Sequence, residues 1–138
     1  MGMSKPRIAV QQYKNVSLQS EIAAASPHRL IQMLMEGVVT KIAAARHCMQ
    51  NANIAGKGES ISMAISIIDG LRASLDKANG GEIAENLDNL YDYMGRRLLI
   101  ANLKNDESIL LEVSDLISEI KSAWDAIGSE LKEVQSAT

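Results

Sequence analysis

Two histidines, one cysteine and a run of carboxylates are the residues of this chain whose chemistry could be catalytic or metal-binding. His47 and Cys48 are adjacent. A Cys–His nucleophile needs the imidazole against the thiol, and neighbours on a helix point about 100° apart, so the two cannot form a dyad. A di-iron site in a helical bundle needs Glu-x-x-His pairs, yet Ala25 and Ala44 stand three residues before His28 and His47. A phosphotransfer histidine wants supporting Lys and Gly nearby, and Met49, Gln50 and Asn51 follow His47 instead. The lone cysteine excludes an intramolecular disulfide and a multi-cysteine metal cluster, and no Cys-x-x-Cys-His is present for covalent haem. Gly56-Lys57-Gly58 and Gly80-Gly81-Glu82 lack the Gly-x-x-x-x-Gly-Lys spacing of a phosphate loop and any preceding strand. Glu82, Glu85, Asp88 and Asp92 read as a solvated helix face, with Asp92 and Arg96 a favourable i, i+4 pair. These residues predict no catalytic site, no metal and no cofactor, so the expectation is a protein that is not an enzyme.

Composition points the same way. The chain has 138 residues, a net charge of −3 and 46% hydrophobic residues, but only 3% aromatics and no Phe. One domain is the natural count. Mild acidity with scattered basic residues leaves no footprint for nucleic acid. No apolar run approaches the roughly 20 residues of a membrane span, no signal pattern opens the chain, and Pro6 stands where myristoylation needs Ser or Thr. A soluble, cytoplasmic protein without membrane insertion is expected.

The elements follow from the breaks. Both prolines lie within the first 27 residues. Ser26-Pro27 reads as an N-cap followed by the first helical position, Gly56–Gly58 and Gly80-Gly81 as short turns, and Asn105-Asp106-Glu107 as a cap with acid in the first turn. The predicted helices span 27–54, 59–78, 82–104 and 106–134. Before them lies an N-terminal segment, 1–26, mobile or holding a short extra helix near 13–22; after them a tail, 135–138. Turns this short make neighbours antiparallel. The fold class is all-α, an up-down four-helix bundle over 27–134. Apolar stripes at helical spacing support it: Leu30, Leu34, Val38, Ile42, Ala45 and Met49; Ile61, Ile65, Ile68, Leu71 and Leu75; Ile83, Leu87, Leu90, Tyr91, Met94, Leu98 and Ala101; and Ile109, Val113, Leu116, Ile117, Ile120, Trp124, Ile127, Leu131 and Val134.

The first three helices carry more apolar residues than one stripe needs. Met35 and Val39 lie on one shoulder of the first and Met33 on the other. Met63 and Ile67 leave the stripe of the second, and Tyr93, Leu99, Ile100 and Leu103 that of the third. Extra apolar faces predict either a partner surface, which methionines suit because they repack, or a wide core, a homodimer seam or single surface hydrophobes.

These residues also carry a resemblance. Ser26-Pro27-His28-Arg29-Leu30-Ile31-Gln32-Met33-Leu34 with Glu36-Gly37 resembles the opening of FliS, the flagellin-specific export chaperone. Gly80-Gly81-Glu82-Ile83-Ala84, Asn86-Leu87 and Leu90-Tyr91-Asp92-Tyr93-Met94 are similar to its central signature. Arg96-Arg97-Leu98-Leu99, Ala101-Asn102-Leu103 and Asn105-Asp106 continue it. Glu112-Val113 and Ala123-Trp124 resemble its final helix, and Gln11-Gln12-Tyr13 its N-terminal segment. The resemblance runs from about residue 8 to 127; Met35, where the family often has an aromatic residue, and Val38-Val39 depart from it. It implies a cytoplasmic bundle that binds the disordered C-terminal segment of flagellin, prevents premature polymerisation and assists delivery to the flagellar type III export apparatus. Combined with the surplus apolar residues, it implies a client-binding groove at Met35, Val39, Met63, Ile67, Tyr93, Ile100 and Leu103, gated by Ile8 and Tyr13. It leaves open further partners: the flagellar export gate, an anti-sigma factor or a co-chaperone. The alternative is a structural homodimeric helical-bundle adaptor without a flagellin client.

Overall fold

Ser26 opens the first long helix as its type and the following proline predict: its Oγ accepts from Arg29 N at 3.1 Å and its carbonyl from Leu30 N at 2.9 Å. The structure is a computed structural model that describes Ser20 and residues 22–137, with side chains described through residue 128. It contains α1 (Pro27–Gln50), α2 (Ile54–Ala73), α3 (Lys77–Lys104) and α4 (Glu107–Ala137). Contacts divide the chain into two units, Met1–Leu30 and Ile31–Thr138, and the packing below is that of the second.

Polar links between helices establish the up-down order. Arg46 and Gln50, late in α1, reach Glu107 at the start of α4 at 3.2 and 2.7 Å, while Gln32, early in α1, donates to Asp125 at 2.7 Å. Lys57, early in α2, meets Asn102 at the end of α3, and Arg72, late in α2, meets Asp88 in the first half of α3. Arg97 pairs with Glu112 at 2.9 Å across the α3–α4 hairpin. Each helix therefore runs against its neighbour, and α4 returns beside α1. The core takes residues from all four: Val38, Ile42 and Ala45; Ile61, Ala64, Ile68 and Leu71; Tyr91, Met94, Leu98 and Ala101; Ile109, Leu110, Val113 and Ile117. Ala45, Ala64 and Ala101 have no exposed surface, so small side chains let the backbones approach and a core without Phe still closes.

Three expectations need correction. Gly56-Lys57-Gly58 is not a turn. The reversal lies earlier, at Ala52 (φ 56°), and Asn53 caps α2 by accepting from Gly56 N at 3.0 Å. Gly56 is there for close approach instead: a Cβ on it would stand 2.8 Å from Cys48 Sγ. Lys57 is buried, donating to Asn102 O at 3.1 Å and Asn105 Oδ1 at 3.0 Å, so its ammonium sits at the negative C-terminal end of α3. Second, α2 ends at Ala73 rather than 78, and a short helical turn capped by Asp76, which accepts from Asn79 N, precedes the glycines; the chain leaves helical dihedrals at Gly81 (φ 53°, ψ −130°), so the long run of α3 starts after the pair, where the sequence places it. Third, Ile83 is 73% and Ile127 46% exposed, outside the core to which their spacing assigns them. Asn105 at φ 53° ends α3 where predicted, and the Asp92–Arg96 pair forms at 3.0 Å.

Candidate functional site

The residues predicted to bind a partner lie on several faces. Met35 is 1% exposed and packs in the core, and it also stands in the lining of the concavity described below. Its angle places it on a shoulder of α1 viewed alone, but helices on both sides of α1 widen the buried arc to include it. Val39 is half-buried beside Glu36, Thr40, Ser118 and Lys121 in a polar cleft between α1 and α4. Met63 and Ile67 line a shallow depression along α2 with Glu59, Ser62 and Ser66. Ile100 packs on the core, and Leu103 is 85% exposed near the end of α3. Half-buried Tyr93 donates to Glu112 Oε2 at 2.8 Å, and Arg97 Nε to the other oxygen at 2.9 Å. Those two donors hold the Glu112 carboxyl below its ordinary range. Ile8 and Tyr13 lie outside the described residues.

A larger concavity is one that the stripes do not foretell. It opens at one end of the second unit and has a volume of about 640 Å³. Ile31 and Met35 of α1, Leu75 between α2 and α3, Ala84, Leu87 and Tyr91 of α3, and Ile120, Ala123 and Trp124 of α4 line it. Its size is that of a ligand pocket, and its lining is overwhelmingly apolar. Small side chains keep it open: Gly80, Ala84 and Ala123 stand on its walls where Leu or Phe would fill it. Gly80 has no room for a side chain, since a Cβ there would come within 2.7 Å of Ala84 Cβ. A sequence signal exists in Leu75, Leu87 and Trp124, whose stripes continue to this end of the bundle, but spacing does not reveal whether stripe ends meet or part.

Among the described residues the groove lining includes one charged side chain, Asp76. Asp76, at one end of the lining, is engaged as a cap by Asn79 N at 3.1 Å and Nδ2 at 2.8 Å, which hold its carboxyl below the usual range. Asp88 is gripped by Arg72 at 2.9 Å and Lys77 at 3.0 Å, with the same effect on its carboxyl. Lys77 thereby ties the residues before the Gly81 kink to the body of α3. Among the described residues no group of three or more His, Cys, Asp or Glu gathers to hold a metal ion, and no helix is long and apolar enough to cross a membrane.

The family model described as flagellar protein FliS matches residues 9–131, nearly the whole chain. The chain belongs to the FliS family. It is 51% identical over 119 residues to a flagellar secretion chaperone FliSB of Pseudomonas aeruginosa, covering 86% of this chain and 94% of the relative. It is 45% identical over 131 residues to a flagellar secretion chaperone FliS of Vibrio cholerae, covering 95% and 96%. It is 49% identical over 119 residues to that of Salmonella typhimurium, covering 86% and 88%. The segments through which the chain resembles FliS also meet at the groove. The opening motif contributes Ile31, the central signature Gly80, Ile83, Ala84, Leu87 and Tyr91, and the final-helix motif Ala123 and Trp124.

Proposed function

We propose that this protein is a cytoplasmic export chaperone that binds the disordered C-terminal segment of flagellin, blocks its premature polymerisation and assists its delivery to the flagellar export apparatus. The carrying observation is the open apolar groove of about 640 Å³ in a chain of the FliS family. A disordered client loses chain entropy on binding, so its partner must offer enough apolar surface to offset that loss. Each Leu-sized client side chain sealed in the groove contributes about 1.5–3 kcal/mol, and a groove of this volume has room for several. The client lays the apolar face of a helix into it. Met63, Ile67 and Leu103 extend its path over the outer faces, and Ile8 and Tyr13 form the gate that the resemblance implies. The names of the relatives, flagellar secretion chaperones, support this reading.

Calorimetry with a peptide from the flagellin C-terminus tests it. Binding is expected with a negative heat-capacity change. Ala123→Glu places a charge in the groove at an exposed helical position; it is expected to weaken the peptide by about tenfold or more, since an unpaired charge meets apolar groups, with helicity unchanged. Undiminished affinity in that variant would move the client off the groove.

A further inference from the structure

Tyr91 is 3% exposed, and its ring lies among the residues lining the groove. Its hydroxyl forms no hydrogen bond among the described residues, whereas that of Tyr93, two residues on, is held by Glu112. Buried tyrosine hydroxyls ordinarily find a partner. The Tyr91 side chain keeps a little accessible surface, and Tyr91 is one of the residues that line the groove. The hydroxyl belongs to a groove-lining residue and has no protein partner among the described residues, in a mainly apolar lining whose other polar members are Ser74, Asp76 and Asn79. Burial pushes its pKa up, so near neutral pH it keeps its proton and donates.

We propose that the Tyr91 hydroxyl selects among client segments by donating a hydrogen bond to an oxygen that the bound segment carries between its apolar side chains. This rests on the docking reading above and adds to it the chemistry of the bound segment. The acceptor is a side-chain amide or hydroxyl oxygen, or a backbone carbonyl released where the client helix ends. A chain segment fits better than a compact small molecule, because Ile83 (73% exposed) and Ile127 (46% exposed) carry the apolar lining out past the mouth. An all-apolar segment would strip water from the hydroxyl and leave it unpaired, so matched and unmatched segments are expected to differ in affinity by about three- to tenfold.

The test uses the full-length protein, its Tyr91→Phe variant and the flagellin C-terminal peptide, with each polar peptide residue replaced in turn by Ala. Tyr91→Phe keeps the ring and removes only the hydroxyl. It is expected to leave the thermal midpoint of the free protein unchanged or higher, because no internal bond is lost, and to weaken the parent peptide about three- to tenfold. One polar-to-Ala peptide is expected to show the same loss on the unaltered protein and none on Tyr91→Phe, which identifies the acceptor. If the acceptor is a backbone carbonyl, the coupling moves instead to an ester replacing the amide at the helix end. A Tyr91→Phe variant that binds the parent peptide as tightly as the unaltered protein, or that melts lower, overturns the proposal. If Ala123→Glu abolishes binding while Tyr91→Phe is silent, the hydrogen bond alone fails. If neither variant changes affinity, the docking reading fails with it.

Discussion

Single residues show how a correct periodicity assigns a wrong environment. Met35 lies off the centre of the α1 stripe, yet it is 1% exposed, whereas Ile83 and Ile127, at stripe positions, are open to solvent. The hydrophobic pattern reports an angle around one helix; burial depends on how many neighbours flank that helix and how far along they extend. Leu110 makes the same point: it follows Ile109 around the helix by about 100°, and both are buried. Met35→Ala is therefore expected to destabilise the protein by about 2–5 kcal/mol, as for other large-to-small core changes, measured by urea denaturation. A variant of full stability that merely loses client affinity would return Met35 to the surface.

At the scale of elements, the glycines separate into those that turn the chain and those that pack. Gly81 has φ 53° and ψ −130°, a conformation closed to residues with a Cβ, and it kinks α3 beside the groove. Gly58 lies inside α2, and a methyl group at its Cα would meet nothing within 4 Å. Gly81→Ala is expected to lower stability by about 1–3 kcal/mol. Gly58→Ala is expected to raise it by about 0.5–1 kcal/mol by removing backbone freedom from the unfolded chain. Thermal melts of the two variants check both signs; were Gly56–Gly58 the turn that its composition suggests, both substitutions would destabilise. Helix ends are legible in the sequence where the capping residue is itself the conspicuous break: Ser26 accepts through its side chain ahead of Pro27, and Asn105 takes the left-handed conformation that ends α3. They are hidden where Asn53 and Asp76 cap ahead of a conspicuous glycine.

Over the whole molecule, carboxylates at helix ends and helix–helix contacts share one electrostatic bias. Asp76, Asp88, Asp106 and Glu112 are all held below their ordinary values by hydrogen-bond donors or cations. Groups with a depressed pKa in the folded state contribute stability that is fully present above their unfolded values, about 3.9 for Asp and 4.3 for Glu, and that is lost as pH falls through the lower folded values. Tyr91 and Tyr93 are shifted upward, so their contribution is present below about pH 10 and lost as pH rises through the folded values. Stability is expected to stay flat between about pH 5.5 and 9 with respect to these groups and to fall on either side. Asp88→Asn should flatten the acid limb, and denaturation midpoints measured across pH check it; an unchanged acid limb would show that the Arg72–Asp88–Lys77 contacts carry none of it.

The sequence by itself determined the all-α class, the four helices, most of the core and, through ordered motifs along the chain, the resemblance to FliS. These properties depend on local spacing, capping chemistry and residue type, which are written along one dimension. Only the tertiary structure decided where apolar surface is left over. Of the predicted partner residues with described side chains, Met35 lines the groove and the others lie elsewhere, and the groove arises because Gly80, Ala84 and Ala123 stand on walls that large side chains do not fill. A missing volume between helices has no signature on any one of them. Nor does a hydroxyl such as that of Tyr91, which has no protein partner among the described residues, since pairing is a property of the space around a residue.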